Sequence, residues 1–443
     1  MSESLKLSKP GSLQTWLDYL HSLNPCHIEL GLERVKKVLD RLNLDFSNTC
    51  IVEVAGTNGK GSTSALIAAI LKNLGVKTGL YTSPHLWHFN ERVVIDGQNA
   101  KSELLADAFD TVHKAAIKEP EIPLTYFEYT TLAAFVSFYK ENVGAMVLEI
   151  GLGGRLDAVN SLDADVSIIT SIGLDHTKIL GDTIEKIAFE KAGIIKNNAV
   201  CITGILDKSA EDEIISICKE RNATLYVQNR DFATSFDDKT HYKDKLLVKE
   251  MVLSYPKVPE CCAAAAIKCV EVLVSKFKDK LKGLNTSLTE EILNNALEHT
   301  SLPGRMQLIE KNPNIYIDVA HNPPAALHLA QVLKARAIKG KRYAVIGMLA
   351  DKDIESVLKI VVPVFDEFYV TSLPTERGES YERLSHDLMA LGVKSENIHC
   401  FDKASLAALS CKKQAKVDDE IIIMGSFVTV SQACSSDCKL NEE

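Results

Sequence analysis

No apolar run in this 443-residue sequence approaches the length that a membrane-spanning helix needs. The first residues also lack the apolar segment of a secretory signal, so none is predicted. The eleven Cys include no C-x-x-C pair and their number is odd, which argues against a disulfide framework or a zinc site. These absences predict a cytoplasmic protein with reduced thiols and no membrane partner.

Runs of Lys and Arg are missing as well, although a nucleic-acid-binding protein usually carries a basic face. The formal net charge is -9. We therefore expect no nucleic-acid partner, and an anionic ligand has to be held by a few local groups. The sequence has no internal repeat and no low-complexity segment.

The order of strand-like and helix-like segments predicts an α/β protein. Hydrophobic residues make up 46% and charged residues 25% of the chain, as in globular proteins, and its length favours two domains. Short β-rich runs alternate with longer helical patterns, which is typical of mostly parallel sheets. Four runs end in loops with Gly or Ser: Cys50 to Gly56, Lys77 to Ser83, Ala145 to Gly151 and Asp165 to Gly173. Because ligands bind at the carboxyl ends of such strands, these loops are expected to converge on one site.

A domain boundary is predicted near Pro303-Gly304, where a helical stretch ends. Four further strand-and-loop units follow, with the sequences IYIDVAHNP, RYAVIGMLADKD, EFYVTS and EIIIMGSF. We therefore predict an N-terminal α/β domain with a mostly parallel sheet over residues 1–298. A smaller, Rossmann-like α/β domain is predicted over residues 299–443. The polar patch Gln228 to Lys249 is expected to form hairpins or loops.

The stretch VEVAGTNGKGSTSALIAAIL, Val52 to Leu71, has the features of a phosphate-binding loop between a strand and a helix. Its glycines let the backbone approach a ligand, Lys60 supplies a positive charge, and the helix begins where anions are favoured. Val54 stands where the first Gly of a Walker A loop belongs, so this is not an ordinary Walker A sequence. The loop indicates a nucleotide phosphate, and the simpler alternative is a Gly-rich turn capped by Ser.

The motif GLGGRLD, Gly151 to Asp157, has two glycines of a dinucleotide fingerprint. Leu156 replaces the third glycine. We therefore do not predict a Rossmann cofactor site at this motif.

Three polar residues at the ends of successive strands predict a metal site. Glu149 ends the apolar run AMVLE, Ser83 ends GLYTS, and His176 follows SIGLD. A carboxylate beside a phosphate loop is suited to Mg²⁺, whereas a His indicates a second, less selective metal position. Taken singly, the three residues are equally consistent with a solvated acid, a helix-capping Ser and a loop His with an ordinary hydrogen bond.

Lys191 lies within the helical pattern IEKIAFEKAGIIK, where an exposed side chain is the ordinary expectation. In the C-terminal half, Arg305 follows the predicted boundary, and Asp318 and His321 lie in DVAHNP at a strand end. A cleft between two domains would place these last three residues opposite the phosphate loop.

Together these motifs resemble the Mur ligase superfamily, and within it the folylpolyglutamate synthases and dihydrofolate synthases. The resemblance extends from HIELGLERV to MGSFVTV, almost the whole chain. Between these two lie, in order, VAGTNGKGST, YTSPHL, ERV, LTYFEYTTL, LEIGLGGRLDAVN, TSIGLDHTKILGDTIEKIAFEKAGI, LPGRMQ, DVAHNP and VIGMLADKD. LTYFEYTTL and the overall spacing are most similar to the bifunctional bacterial members.

The resemblance implies that residues 1–298 form a P-loop-type ATPase domain, the ATP-binding central domain of a Mur ligase, and residues 299–443 a glutamate ligase domain. It also implies a role for each matching residue. The ATP phosphates would be held by Asn58, Gly59, Lys60, Gly61 and Ser62, and ATP would also contact Arg305, Asp318 and His321. One Mg²⁺ would be bound by Ser83 and Glu149 and a second by His176, while Lys191 would be carbamylated. The implied catalytic residues are Lys60, Glu149, His176 and Lys191. The pterin-side pocket would be lined by Glu29, Leu30, Gly31, Thr125, Tyr126, Phe127, Glu128, Leu156, Asp157 and Ala158.

The implied activity is an ATP-dependent amide ligase that adds L-glutamate to dihydropteroate and to reduced folates through an acyl phosphate. All implied partners are small molecules, and the family favours a monomer. The alternatives are a monofunctional folylpolyglutamate synthase, a cell-wall Mur ligase acting on a UDP-sugar peptide, and a nucleotide-dependent switch without ligase turnover. LTYFEY and GLGGRLDAVN argue against the cell-wall enzyme, and the absence of an N-K-x-D motif argues against a guanine-nucleotide switch.

One position departs from the family pattern. Members commonly have an Asn within N-A-A-x-A-L that contacts the nucleotide, whereas PECCAAAAIK places Cys262 there. Because a thiol is a poor replacement for an amide, adenine recognition is expected to be weaker or differently made.

Overall fold

The computed structural model describes residues 11–23, 29–245 and 250–434. The chain divides into two compact units between Ser301 and Leu302, whereas the sequence placed a boundary after residue 298. None of the described helices is both long enough and apolar enough to cross a membrane.

The first unit contains an eight-stranded sheet and a separate three-stranded sheet. The strands of the large sheet are β1 (Cys50–Ala55), β2 (Thr78–Tyr81), β3 (Val93–Ile95), β4 (Gln98–Asn99), β5 (Ala145–Glu149), β6 (Val166–Ile169), β7 (Val200–Thr203) and β8 (Thr224–Val227). Their order is β4-β3-β2-β5-β1-β6-β7-β8. All neighbouring pairs are parallel except those that involve β3 and β4.

Ten α-helices are described in this unit, before, between and after its strands. They are α1 (Leu13–Ser22), α2 (Glu33–Leu42), α3 (Lys60–Asn73), α4 (Ser102–Ala116), α5 (Tyr126–Lys140), α6 (Thr177–Leu180), α7 (Ile184–Ala192), α8 (Lys208–Glu220), α9 (Glu260–Lys276) and α10 (Glu290–His299). Short 3-10 helices are formed by Phe89–Arg92, Ala158–Ser161 and Lys278–Lys280.

Strands β1 and β5 are buried along their whole length because helices cover both faces of the sheet. One face packs on a core that includes Tyr81 and Phe135, and the other on a core that includes Val54 and Leu66. Strands covered on both faces have near-continuous apolar sequences, which is why they were predictable. Since β2, β5, β1 and β6 are adjacent, the loops at their carboxyl ends lie side by side.

The polar patch after β8 forms an antiparallel sheet of β9 (Phe232–Phe236), β10 (Thr240–Asp244) and β11 (Met251–Leu253). Hairpins or loops were predicted within Gln228 to Lys249, and the structure has the hairpin of β9 and β10 there, with β11 after it as a third strand. Residues 246–249 of this patch lie outside the described residues. The sheet is attached to α9 by a buried ion pair between Asp244 and Lys268. It therefore supports the helix that carries Cys262.

The second unit is a single six-stranded α/β sheet. Its strands are β12 (Gln307–Glu310), β13 (Asn314–Ile317), β14 (Arg342–Ile346), β15 (Glu367–Thr371), β16 (Ile398–Phe401) and β17 (Glu420–Met424). Its helices are α11 (Pro323–Ala335), α12 (Ile354–Val361), α13 (Tyr381–Ala390), α14 (Ala404–Gln414) and α15 (Phe427–Ala433). The order is β12-β13-β17-β14-β15-β16, and only the edge strand β12 is antiparallel to its neighbour. The predicted α/β fold class is confirmed.

One buried acid stands out in the central strand of the first unit. Glu53 of β1 is fully buried, and neither carboxylate oxygen has a hydrogen-bond partner among the described residues. Burial raises the pKa of Glu53 to about 8; the charge of Lys196 acts in the opposite direction, while Asp157 and Asp163 add to the rise. Glu53 is therefore protonated at neutral pH.

We expect Glu53→Gln to remove a pH dependence of stability. The unfolded chain releases this proton near the ordinary value for Glu, whereas the folded chain holds it up to about 8. Between these two values the folded state binds more protons, so wild-type stability falls as pH rises, by up to about 1.4 kcal/mol per pH unit. Urea unfolding at about pH 5 and about pH 8 should show an advantage of the Gln variant that grows with pH. An advantage that is constant across the window would contradict the assignment.

Candidate active site

The loop between β1 and α3 has the backbone of an anion-binding turn. Gly59 has a left-handed backbone with φ 83°, and Lys60 is the first residue of α3. The first N–H groups of a helix have no partner within it and carry the positive end of its dipole. This end of α3 is therefore suited to a phosphate.

Residues that follow β6 hold the loop in place. The amide of Asn58 donates to Ser171 Oγ at 3.0 Å, and Thr170 Oγ1 donates to the Asn58 carbonyl at 2.6 Å. The amide of Thr57 donates to the Ser171 carbonyl at 2.9 Å. A Cβ atom at Gly56 would lie 1.9 Å from Thr170 Oγ1, so only glycine fits there. The loop is thus fixed by contacts more than a hundred residues away in the sequence.

Cys262 supports the same loop from α9. It is buried, and its Sγ lies 3.6 Å from the Gly59 carbonyl, to which it donates. A Cβ at Gly59 would be 3.1 Å from this sulfur. The thiol therefore packs against the loop backbone, and its effect on adenine recognition stays a prediction.

Two lysines converge on one carbonyl of the loop. Lys60 Nζ donates to the Gly56 carbonyl at 3.1 Å and Lys191 Nζ donates to it at 3.0 Å. Lys191 is buried on α7, so the ordinary expectation of an exposed helix Lys is wrong here. Burial, reinforced by the charge of Lys60, lowers the pKa of Lys191 to about 7. A large fraction of Lys191 is therefore a neutral, nucleophilic amine at neutral pH.

The predicted metal ligands lie at or after the carboxyl ends of three strands, β2, β5 and β6. Glu149 is the buried last residue of β5, and its Oε2 accepts a hydrogen bond from the Ser83 amide at 3.0 Å. His176 is part-exposed and has a left-handed backbone with φ 51°, and its Nε2 lies 3.9 Å from Asp175 Oδ1. Thus the structure brings Glu149 and Ser83 together and pairs His176 with Asp175.

No cluster of three or more His, Cys, Asp or Glu side chains suited to a metal occurs in the described part of the chain. Mg²⁺ usually takes one or two carboxylates and completes its shell with water and phosphate oxygens. The buried carboxylate of Glu149 near Ser83 fits that mode of binding.

The three segments predicted to line a pterin-side pocket are bonded to one another. The Gly31 amide donates to the Leu156 carbonyl at 3.2 Å. Thr125 and Glu128 form a capping box at the start of α5, in which the Thr125 amide donates to Glu128 Oε2 at 2.7 Å. Phe127 packs against Gly151, where an added Cβ would lie 2.5 Å from the ring. The Gly31–Leu156 bond and the contact of Phe127 with Gly151 therefore bring these segments together near the carboxyl end of β5.

Asp157 shapes a loop of this region. It is buried, and its oxygens accept hydrogen bonds from the amides of Leu152 at 2.8 Å and Val159 at 2.9 Å. Burial raises the pKa of Asp157 to about 6, although these backbone N–H groups act to lower it. Asp157 therefore stabilises the loop conformation of residues 152–159.

Arg92 is a buried cation that the sequence did not single out. Its Nε donates to His85 Nδ1 at 2.7 Å, and its guanidinium carbon lies 5.7 Å from the ring centres of both Phe89 and Tyr126. Burial and the charge of Arg92 lower the pKa of His85 to about 4, so His85 is a neutral acceptor. No carboxylate of the described residues forms an ion pair with Arg92, which makes it suited to an anionic group of a ligand.

The remaining predicted residues surround the end of β13 in the second unit. Asp318 is buried and accepts hydrogen bonds from the amides of Met306 at 2.9 Å and Ala320 at 2.8 Å. Burial raises the pKa of Asp318, and the charge of Arg305 opposes this rise. The Arg305 guanidinium lies 5.5 Å from the Phe427 ring. His321 Nδ1 lies 2.8 Å from the carbonyl of residue 319.

Known proteins share both units. The family model described as Mur ligase middle domain matches residues 54–252, and the one described as Mur ligase, glutamate ligase domain matches residues 304–427. The dihydrofolate synthase/folylpolyglutamate synthase of Escherichia coli strain K12 is 37% identical over 420 residues, 95% of this chain and 94% of the relative. The chain belongs to the dihydrofolate synthase/folylpolyglutamate synthase family of Mur ligases.

Solved structures of this family have the same fold. Escherichia coli FolC in complex with DHPP and ADP superimposes with a TM-score of 0.84 at 36% identity, covering 95% of this chain and 96% of that one. A bifunctional folylpolyglutamate synthase/dihydrofolate synthase with Mn, AMPPNP and L-glutamate bound gives 0.83 at 36% identity, covering 95% and 97%. The predicted family and its class of ATP-dependent ligase are confirmed, and the roles of single residues stay predictions.

The sequence missed the residues that act through distant contacts. Thr170 and Ser171 were read only as part of a strand-end loop, and Asp175 only as the neighbour of His176. Arg92 was quoted within ERV without a role. The available signal in the sequence was that Arg92 directly precedes the apolar run Val93–Ile95. An arginine is rarely buried unless it binds a partner, so its position beside an apolar strand pointed to a binding role.

We expect Thr170→Val to weaken ATP binding in this Mur ligase. The change keeps the volume but removes the 2.6 Å hydrogen bond to the Asn58 carbonyl, so the loop loses a support and KM for ATP should rise about tenfold. The matched control is Thr203→Val at the end of β7, since the Thr203 hydroxyl is buried without a partner among the described residues. Equal effects of the two variants would contradict the role of Thr170.

Proposed function

We propose that this chain uses ATP to join L-glutamate to dihydropteroate, giving dihydrofolate, and to reduced folates, giving polyglutamates. The observation that carries the proposal is the convergence of Lys60 and Lys191 on the Gly56 carbonyl, at a loop whose backbone suits a phosphate. The likeness to a bifunctional relative over 95% of the chain supports the choice of substrates.

ATP would bind with its phosphates on the loop between β1 and α3. Asn58 and Gly59 would present the backbone, Gly61 and Ser62 the open end of α3, and Lys60 a positive charge. The fit of a phosphate is supported by the left-handed backbone of Gly59 before α3. Gly56 and Gly59 also let the loop pack closely on Thr170 and Cys262, where an added Cβ would lie 1.9 Å from Thr170 Oγ1 and 3.1 Å from Cys262 Sγ. The family resemblance assigns nucleotide contacts also to Arg305, Asp318 and His321 of the second unit, where the charge of Arg305 acts on the buried Asp318.

Two Mg²⁺ ions would accompany ATP. Ser83 and Glu149 would hold one, and His176 the other; the family relative with bound Mn and AMPPNP supports a divalent metal. Bound there, the metal would neutralise negative charge on the phosphates. The residues of the chain would then orient the phosphates and exclude water.

The reaction would proceed in two steps. A carboxylate oxygen of the pterin substrate attacks the γ-phosphorus, the bond to ADP breaks, and an acyl phosphate forms. The glutamate amine then attacks the acyl carbon, phosphate leaves, and the nitrogen loses a proton to give the amide. Lys60 would stabilise the charge on the transferring phosphoryl group, so catalysis is mainly positioning and electrostatics.

The pterin substrate would bind beside the Glu29–Gly31, Thr125–Glu128 and Leu156–Ala158 segments. Arg92 is the cation best suited to a substrate carboxylate, because it is buried beside Tyr126 and forms no ion pair among the described residues. The aromatic rings of Tyr126 and Phe127 give the same region apolar surface.

We further propose a cytoplasmic monomer that acts on small molecules without a nucleic-acid partner. The nine described cysteines are all free thiols, which suits a reducing compartment. The net charge of -9 and the absence of basic runs argue against nucleic acid. Sedimentation of the purified protein would test the oligomeric state.

The deciding experiment measures glutamate-dependent phosphate release from ATP, with dihydropteroate in one series and tetrahydrofolate in the other. We expect release in both series for the wild type and none for Lys60→Ala, because the variant lacks the charge beside the phosphates. Release with tetrahydrofolate alone would favour the monofunctional folylpolyglutamate synthase. ATP binding without release in either series would refute the proposal and favour the nucleotide-dependent switch.

Lys191 is proposed to carry a carbamate. A neutral buried amine beside a phosphate site can take up CO₂ and become an anion, which would help to hold the second metal. We expect Lys191→Ala to lose at least about a hundredfold in kcat, and short carboxylic acids such as acetate to restore part of it. Lys60→Ala serves as the control, because Lys60 acts as a cation and no acid should rescue its loss. The absence of rescue at Lys191 would count against a carbamate.

A further inference from the structure

A single guanidinium links two segments of the proposed pterin-side pocket. Arg34, in the first turn of α2, donates from Nε and Nη2 to Glu128 Oε1 at 3.2 and 3.0 Å. It also forms an ion pair with the Glu29 carboxylate, and its Nη2 donates to the Glu29 carbonyl at 3.2 Å. Arg34 therefore joins residue 29, before α2, to the start of α5.

The carboxylate of Glu128 is committed to these contacts. It is buried, its Oε2 accepts the Thr125 amide at 2.7 Å, and Arg34 occupies Oε1. An acid in this position also favours the start of a helix. Glu128 is thus a structural group that needs Arg34 as its counter-charge, because a buried carboxylate without a cation is costly.

A third segment is connected through the backbone. The Gly31 amide donates to the Leu156 carbonyl, and Asp157 fixes residues 152 and 159. Hydrogen bonds therefore connect three segments, Glu29–Gly31, Thr125–Glu128 and Leu156–Ala158, which we call the frame. Arg34 makes the ion pairs within it.

We propose that Arg34 is a positioning residue for the pterin substrate: it sets the mutual position of the three segments and does not itself contact the substrate. The inference rests on the proposed function, since it assigns this frame to the pterin side. Without Arg34, Glu128 would have to find another partner, and the start of α5 and residues 29–31 would shift. The ATP loop depends on a separate set of contacts, with Thr170 and Ser171.

The test compares KM and kcat for Arg34→Met with a matched control on the same helix. Arg41 also makes several hydrogen bonds, to the carbonyls of Ala115, Lys118 and Pro120, but it does not contact the frame. We expect Arg34→Met to raise KM for dihydropteroate about tenfold, as loss of a charged hydrogen bond predicts. KM for ATP and kcat should change by less than about twofold. Arg41→Met should lower thermal stability and leave both KM values unchanged.

Two further variants separate positioning from general stability. Arg34→Lys keeps the positive charge but not the planar set of guanidinium donors. It should therefore raise KM for dihydropteroate, but by less than Arg34→Met does. Glu128→Gln in the Arg34→Met background should cause no further rise in KM, because the two residues act as one pair.

The measurements distinguish a failure of the positioning role of Arg34 from a failure of the proposed function. An active wild type whose KM for dihydropteroate is unchanged by Arg34→Met would refute the positioning role alone. Parallel rises in both KM values, matched by Arg41→Met, would show a merely structural role. A wild type without activity on dihydropteroate or tetrahydrofolate would overturn the proposed function and this inference together.

Discussion

The site depends on one carbonyl oxygen that two lysines share. Lys60 and Lys191 both donate to the Gly56 carbonyl, and two ammonium ions so close together repel strongly where little water screens them. Burial is the main cause that lowers the pKa of Lys191 to about 7, and the repulsion from Lys60 adds to it. Lys60 is partly exposed at the start of α3, whereas Lys191 is buried and largely a neutral amine at neutral pH. The difference in environment between two identical side chains is the basis for the two roles that we propose for them.

The contact of both lysines with the Gly56 carbonyl requires a rigid loop. The order of the strands places the segments that support this loop on either side of it. Because β1 lies between β5 and β6, the phosphate loop is flanked by the loop after Glu149 and by the Thr170–Ser171 segment. The latter makes four hydrogen bonds to residues 57 and 58, and Cys262 supports Gly59 from α9. A Gly-rich loop by itself is costly to order, so these contacts hold the backbone ready for its ligand.

Most of the strands that the sequence predicted have a strong apolar pattern within the strand itself. β1, β5, β14 and β17 are buried throughout and have mostly apolar sequences, each with one charged residue. Strands β8, β12 and β16 were missed, and they are partly exposed with a weak apolar pattern. Strand β7 was missed although it is buried throughout. In the site, residues at strand ends could be chosen from their position, whereas Arg34 and Arg92 gain their meaning only from partners. Arg34 meets Glu128 across 94 positions of sequence, and no local pattern contains that pairing.

Four buried acids near the site show why position alone does not define a role. Asp157 uses both oxygens on backbone amides, and Glu128 is paired with Arg34. Glu53 lacks a partner among the described residues, so it stays protonated and has no charge to offer a cation. Glu149 stands at a strand end beside the phosphate loop and accepts a hydrogen bond from Ser83, itself a predicted ligand. A divalent metal needs an ionised oxygen that faces the phosphates, and this requirement favours Glu149 over the other three.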